Sequence, residues 1–400
     1  MNKPKTRPKT KPFRVYLVAG EESGDQLGAG LMRALRAHLG DREIEFIGVG
    51  GGRMAREGLA SLFPMSDIAV MGILPVIARL PSIVRRVYRT VADVVEKRPD
   101  VLVIIDSPDF TQPVAKRVHK RAPDIPIVNY VSPSVWAWRP GRAKKMRAYV
   151  DHVLALKPFE PDAHIRLGGP PCTYVGHPLI ERLDELRPAE GERRPLGDGP
   201  LELLVLPGSR RSEISRLSEP FAQALARFKA SYDGEISLTL PAVPHLADEL
   251  ARLTSDWPVK PKIVLGEAEK FAAFRRAHAA LAASGTVTLE LALSGVPMVV
   301  AYKVSKVEEQ LRHFITVDTI VLVNLILGEK IIAEYIQQDC APEPLAKALS
   351  AICVDGEARR VQLDAFARLD GAMSIGEETP SGRAARLVVE TALRRTETGR

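Results

Sequence analysis

Val101 to Ile105 form an unbroken row of five aliphatic residues that ends on a carboxylate, Asp106, followed at once by Ser107, Pro108 and Asp109. A strand with water on one face alternates apolar with polar, so a continuous aliphatic run suits a strand covered on both faces, as in a parallel sheet. Asp106 then emerges at the carboxyl edge, where open α/β sheets hold their ligands. Two jobs suit a carboxylate there: a catalytic base in a cleft, or a cap on the helix that begins near Thr111. Asp109 lies nearer that helix and suits the capping role better, which leaves Asp106 without a structural task.

The rest of the chain keeps to the same plan. Strands are read at Val15 to Ala19, Phe46 to Val49, Ile127 to Tyr130 and His152 to Leu156. Between them run helical stripes, Leu27, Leu31, Leu35 and Leu39, then Val84, Val87, Tyr88, Val91, Val94 and Val95. From Arg187 to Pro200 the composition turns to RPAEGERRPLGDGP, the best linker candidate in the chain. Alternation then resumes with strands at Leu201 to Leu206, Ile236 to Leu240, Lys262 to Leu265, Ala279 to Ala283 and Met298 to Tyr302, and a helix through Leu217, Phe221, Leu225 and Phe228. Four hundred residues exceed what one core usually supports. The reading is α/β: a leader over 1–12, a Rossmann-like domain over 13–186, a linker over 187–200, and a second Rossmann-like domain over 201–400. The terminal helices of the second domain are expected to pack back on the first, and the two domains to face each other across a cleft.

Composition narrows the setting. Cys172, Cys340 and Cys353 are odd in number and lack CxxC spacing, against a disulfide framework or a zinc site and for a reducing compartment. No apolar segment follows the basic N-terminus as a secretory signal requires, so a cytoplasmic protein is expected. The net charge of +7 invites a nucleic-acid reading. Yet Lys3, Lys5, Arg7, Lys9, Lys11 and Arg14 supply six of those charges in a leader without acids, which reads as a solvated tail or a graze against anionic lipid.

Two loops in the second half look built for phosphate. Leu206-Pro207-Gly208-Ser209-Arg210 follows a strand and precedes a helix, where free backbone N–H groups and a guanidinium can converge. Ala283-Ser284-Gly285-Thr286 repeats the arrangement, and Glu290 one turn later could accept two ribose hydroxyls. Plain connecting turns explain either loop alone; the pair favours a nucleotide diphosphate. In the first half, Gly20-Glu21-Glu22-Ser23-Gly24-Asp25 lacks the GxGxxG spacing, and its three carboxylates would repel a pyrophosphate, so sugar hydroxyls suit it better. Gly48 to Gly52 reads as a tight turn. No DxD pair, His cluster or HExxH indicates a metal.

Taken together, AGEESGD at 19–25, AVMG at 69–72, DSPDF at 106–110, YVSPSVWAWR at 130–139, LPGSR at 206–210 and SGT at 284–286 resemble the lipid-A-disaccharide synthase family in order and spacing. The resemblance covers nearly the whole chain after the leader. It implies a GT-B glycosyltransferase, the donor bound mainly by the second domain, that joins UDP-2,3-diacylglucosamine to 2,3-diacylglucosamine 1-phosphate and releases UDP and a β-1,6 disaccharide. Carried over by position, Asp106 matches the general base, Arg210 a phosphate-contacting arginine, Asn324 an asparagine near the nucleotide, and Glu290 the acid on the donor ribose. Ser209, Ser284, Gly285 and Thr286 complete the donor set; Glu21, Ser23, Trp136 and Trp138 are acceptor or sugar candidates, the tryptophans divided between interior packing and ligand contact.

Inversion of an α-linked donor needs a carboxylate to take the hydroxyl proton, and a cation for the leaving diphosphate. Lipid substrates also require a membrane contact: Ile68 to Ala78 is uncharged and apolar, too short to span, and is followed by Arg79, Arg85, Arg86 and Arg89, which reads as an interfacial segment or as core beside a solvated face. The expected partners are a UDP-sugar donor, an acylated sugar-phosphate acceptor and the cytoplasmic surface of the inner membrane, a homodimer being allowed and nucleic acid not; no cofactor and no metal are expected. The rival readings are another GT-B UDP-sugar enzyme, an epimerase or a peptidoglycan-type glycosyltransferase, and a non-enzymatic membrane or nucleic-acid binder.

Overall fold

The computed structural model describes residues 11–68, 73–305, 309 and 317–398, with the side chains of 73–78 and 395–398 left aside. Most of the basic leader, and within the Ile68 to Ala78 stretch residues 69–72 and the side chains of 73–78, therefore lie outside the described residues. The chain divides into two compact units, one reaching to Pro178 and resuming at Ile375, the other spanning Leu179–Ser374.

In the first unit the strands are β1 Phe13–Ala19, β2 Ile44–Val49, β3 Ala60–Ser61, β4 Val101–Ile105, β5 Ile127–Tyr130, β6 His152–Ala155 and β7 Cys172–Tyr174. They lie in the order β3-β2-β1-β4-β5-β6-β7, and every pairing is parallel. All five residues of β4 are fully buried, as the aliphatic run requires. The helix Glu22–Leu39 covers one face through Leu31 and Leu35. The last helix, Pro380–Thr398, joins the same core through Ala384, Val388 and Ala392, which is why the C-terminus belongs to this unit.

The second unit holds β8 Leu201–Leu206, β9 Ile236–Ala242, β10 Lys262–Leu265, β11 Ala279–Ala283, β12 Met298–Tyr302 and β13 Glu334–Ile336, ordered β10-β9-β8-β11-β12-β13 and again wholly parallel. Counted within each unit, both sheets begin 3-2-1-4-5-6, the doubly wound order in which the chain reverses direction between the first and fourth strands. That reversal leaves a crevice at the carboxyl ends of β1 and β4 in one unit, and of β8 and β11 in the other. Ligands of this fold bind there.

Segment 187–200, read as a linker, lies inside the second unit. Arg193 explains its attachment: the guanidinium donates to the carbonyls of Phe274 (3.1 Å), Arg275 (3.1 Å), Ser294 (2.6 Å) and Gly295 (2.7 Å), tying the Pro- and Gly-rich stretch to two helix ends. The helix expected near Thr111 starts earlier, at Pro108, whose missing N–H costs nothing in the first turn. Ser107 is its N-cap residue, so Asp109 is no cap; the sequence reading is corrected here.

Candidate functional site

At the first reversal the backbone is under strain. Of the seven non-glycine residues with positive φ among those described, five (Asp106, Ser107, Val131, Ser134 and Arg139) lie in the turns that leave β4 and β5. Such conformations cost of order 1–3 kcal/mol each and gather where function demands them. Asp106 has φ 52°, its N–H donates to the Tyr130 carbonyl at 3.1 Å, and its own carbonyl accepts from Thr111 Oγ1 at 2.7 Å. Both peptide groups are thus fixed while the carboxylate stays half exposed. Ser23, at the start of the helix after β1, donates Oγ to Asp106 Oδ2 at 3.1 Å and so links the two loops of the crevice.

Glycine permits that link. A Cβ on Gly20 would stand 2.6 Å from Ser107 Cβ and 2.7 Å from its Oγ, so the β1 and β4 turns touch only because Gly20 has none. Glu21 sits at the N-cap position in extended conformation without capping through its side chain. Asp25, one of the three carboxylates of the loop, is buried and spent: it accepts from the N–H groups of Gly51 (2.7 Å), Arg53 (2.8 Å) and Met54 (3.1 Å), holding the Gly48 to Gly52 turn. Asp109 points to water, 84% exposed, and meets Arg142 at 2.8 Å and Arg139 at 3.9 Å.

The 130–139 loop is braced from behind by residues the sequence reading did not single out. Trp136 donates Nε1 to Glu160 at 3.0 Å and packs edge-on against Phe159. Glu160 is fully buried, and it also accepts from the N–H groups of Leu156 and Lys157 and from Lys157 Nζ, each at 3.1 Å. Ser132 Oγ lies 2.9 Å from His164 Nε2. Burial holds the His164 imidazole below its ordinary range, against the pull of Glu160, so this bond joins two neutral groups at neutral pH. Burial, with Lys157 adding to it, pushes His177 down to about 3. Trp136 is therefore largely occupied inside its own unit. Trp138 is half buried and carries the Arg139 guanidinium over its ring at 5.3 Å.

The second reversal uses glycine instead of strained side-chain-bearing residues. Gly208 takes φ 117° after β8, and a Cβ there would fall 2.6 Å from Glu213 Cβ. Glu213, in the first turn of the helix Arg211–Ser231, accepts from the Ser209 N–H at 3.1 Å and pairs with Arg210 at 3.3 Å. The expectation of a free amide at Ser209 is corrected by that bond. Arg210 itself remains half exposed at 52%. Ser284 donates Oγ to the Ile320 carbonyl at 3.2 Å, whereas Gly285 and Thr286 are exposed at the start of the helix Thr286–Leu293. Both oxygens of Glu290 accept from Lys270 Nζ at 2.9 Å, so a ribose would have to share them.

Asn324, expected near the nucleotide, has its side chain committed within its own unit. It is buried, its Nδ2 donates to the Ile332 carbonyl (2.9 Å), Glu334 (3.2 Å) and Thr319 (3.3 Å), and its Oδ1 accepts from the N–H groups of Ile331 (3.1 Å) and Ile332 (3.0 Å). Nothing is left for a ligand. Glu334 in turn accepts from the Ile320 N–H at 3.0 Å, so Asn324 reaches the Ser284 loop through Glu334 and Ile320.

The helix Ile73–Lys97 buries Val87, Val91 and Val94 but turns Leu80 (51% exposed), Val84 (44%) and Tyr88 (47%) to solvent, every fourth residue. Val84 and Tyr88, read as parts of one buried stripe, thus face outward. Arg85 and Arg89 are exposed; Arg86 is engaged with Asp67 and lies over the Phe63 ring at 4.7 Å. Among the described residues no helix is long and apolar enough to cross a membrane, and no cluster of His, Cys, Asp and Glu could hold a metal.

Solved structures share this architecture. The UDP-GlcNAc 2-epimerase of Methanocaldococcus jannaschii, in complex with UDP-GlcNAc and UDP, superposes with a TM-score of 0.58 at 12% identity, covering 94% of this chain and 99% of that one. The glycotransferase of kitacinnamycin superposes with a TM-score of 0.60 at 18% identity, covering 96% and 100%. The fold is GT-B, that of sugar-nucleotide glycosyltransferases and epimerases. Within that class, residues 15–378 match the model of the lipid-A-disaccharide synthetase family. The lipid-A-disaccharide synthase of Bradyrhizobium diazoefficiens is 56% identical over 380 residues, 94% of this chain and 96% of the relative. The chain belongs to the lipid-A-disaccharide synthetase family, and it is a hexosyltransferase of lipid A disaccharide formation.

Proposed function

We propose that the enzyme is an inverting transferase in which Asp106 takes the proton of the acceptor 6-hydroxyl as that oxygen attacks the anomeric carbon of UDP-2,3-diacylglucosamine. The bond from that carbon to the diphosphate breaks, UDP leaves, and the α-linkage becomes β. The acceptor is 2,3-diacylglucosamine 1-phosphate. Charge gathers on the departing diphosphate, and Arg210 with the exposed turn at Gly285 and Thr286 stabilises it. Glu290 addresses the ribose; Asn324 contributes through Glu334, as a positioning residue.

The observation that carries this reading is the state of Asp106: a non-glycine residue at φ 52°, both peptide groups bonded, its carboxylate held half exposed by Ser23. Asp106→Asn keeps the shape and removes the proton acceptor. Transfer is expected to fall by about 10²- to 10⁴-fold with UDP affinity intact. Asp109→Asn is expected to lose far less, since Asp109 faces water beside two arginines. Should Asp109→Asn be the inactive variant while Asp106→Asn transfers normally, the base assignment is wrong.

Acylated substrates place the enzyme on the cytoplasmic surface of the inner membrane, through the exposed Leu80, Val84 and Tyr88 with Arg85 and Arg89 beside them. Co-sedimentation with anionic vesicles is expected to weaken in high salt and with Arg85→Glu and Arg89→Glu combined. Arg86 is left intact because Asp67 and Phe63 need it. If only removal of residues 1–12 abolishes binding, the interface lies in the leader instead.

A further inference from the structure

We infer that Arg139 and Arg142 form the site for the acceptor's phosphate, with Asp109 occupying it while no acceptor is bound. The inference rests on the reading of Asp106 as base, since it seats the acceptor on the same turn.

The two guanidinium groups converge on one oxygen, Asp109 Oδ1, Arg142 at 2.8 Å and Arg139 at 3.9 Å. An oxygen so shared marks where an anion's oxygen would stand. Asp109 holds that place weakly, being 84% exposed, and pairs in water are worth little. The segment that carries the two arginines is basic: Lys144 and Lys145 on the helix Gly141–Met146 and Arg147 just after it are exposed, and no acid occurs between Trp138 and Val150. A phosphate monoester brings up to two charges and three oxygens, and planar guanidinium groups bind such oxygens two at a time.

The backbone points the same way. Arg139 takes φ 52° and is 58% exposed, so the fold tolerates a strained arginine whose side chain it does not bury. Trp138 lies under that guanidinium at 5.3 Å and restricts its plane. Arg142 is the more enclosed partner, at 20% exposure, and is fixed in the turn by its N–H bond to the Arg139 carbonyl at 2.9 Å. Asp109 lies in the first turn of the helix that follows Asp106. Displacing it therefore seats the phosphate three residues from the base, and the phosphate at C1 lies across the sugar ring from the 6-hydroxyl that must be deprotonated.

The test compares two acceptors, 2,3-diacylglucosamine 1-phosphate and the same molecule without its phosphate, in full-length Arg139→Ala, Arg142→Ala and Arg142→Lys enzymes. Loss of a charge-assisted, two-pronged contact is expected to raise KM for the phosphorylated acceptor about ten- to a hundredfold in each alanine variant, less in Arg142→Lys. KM for the dephosphorylated acceptor and calorimetric UDP affinity are expected to stay near wild type, which also certifies the fold. If both acceptors are affected in equal proportion, the assignment is overturned. If the variants release the enzyme from phosphatidylglycerol vesicles while the ratio of the two KM values holds, the arginines read a lipid headgroup, and the acceptor assignment is likewise overturned. Asp106→Asn in the same assay separates the premises: an active Asp106→Asn removes the reading of the site itself, whatever the arginines do.

Discussion

The two sheet reversals have the same topology and opposite backbone chemistry. After β1 and β4, positive φ falls on Asp106 and Ser107, residues with side chains to use; after β8 it falls on Gly208, which has none. On the proposed mechanism, the difference follows from what each crevice is asked to do. A proton acceptor must stand at one point in one orientation, so strain is accepted on the acting residue and held by the bonds from Tyr130, Thr111 and Ser23. A diphosphate binder needs backbone and cation to approach closely, and glycine permits that without strain.

The comparison breaks most visibly at Gly208. Alanine at φ 117° adds strain of about 1–3 kcal/mol, and its Cβ meets Glu213 Cβ at 2.6 Å, dislodging the group that holds both the Ser209 N–H and Arg210. Gly208→Ala is expected to lower the melting temperature and to weaken UDP binding by more than about a hundredfold. A stable variant with normal UDP affinity in calorimetry would mean that the loop neither needs its glycine nor serves the donor.

Arg210→Ala sharpens the same point with a smaller effect. It deletes the cation and leaves the loop, Glu213 still being able to accept from Ser209. UDP binding is expected to weaken roughly 10- to 100-fold, with a larger loss in turnover, because the diphosphate gains charge as it leaves. Unchanged UDP affinity with turnover lost would confine Arg210 to the transition state.

What the sequence made legible was the interior of each sheet and the carboxyl ends of its strands. The runs 101–105, 127–130, 201–206 and 279–283 were bounded to the residue, because buried parallel strands are spelled as largely apolar runs, broken here only by Asn129 and Glu202, and stopped by polar or small residues. The edge strands β3, β7 and β13 were not found, being two or three residues long, too short for any period to register. Periodicity identified the helix of Val84 and Tyr88 but not its buried side, since apolar residues facing solvent obey the same spacing. At the strand ends, the motifs put Asp106, Arg210 and Ser284 in the turns that leave β4, β8 and β11, where the structure has them. They could not tell which polar groups were already spent. Asp25 answers to Gly51, Arg53 and Met54, Asn324 to Glu334, and Glu290 to Lys270, and each partner arrives through the fold from outside the motif.

The smallest expected effect tests whether the first crevice works through orientation. Ser23 was read as a sugar contact, yet its hydroxyl is directed at Asp106 Oδ2 at 3.1 Å. A hydrogen bond to a half-exposed carboxylate contributes modestly, so Ser23→Ala is expected to lower kcat only about two- to tenfold. The way the loss divides decides between the roles. An orienting hydroxyl lowers kcat and leaves the acceptor KM unchanged, because it acts on Asp106 and not on the bound sugar; Ser23→Thr, which keeps the donor, restores most of the rate. A sugar contact raises the acceptor KM and spares kcat, and Asp106 would then hold its strained geometry without help from the β1 loop. A loss in Ser23→Ala as deep as that of Asp106→Asn would exceed what an orienting hydroxyl or a sugar contact can account for, and would contradict both roles.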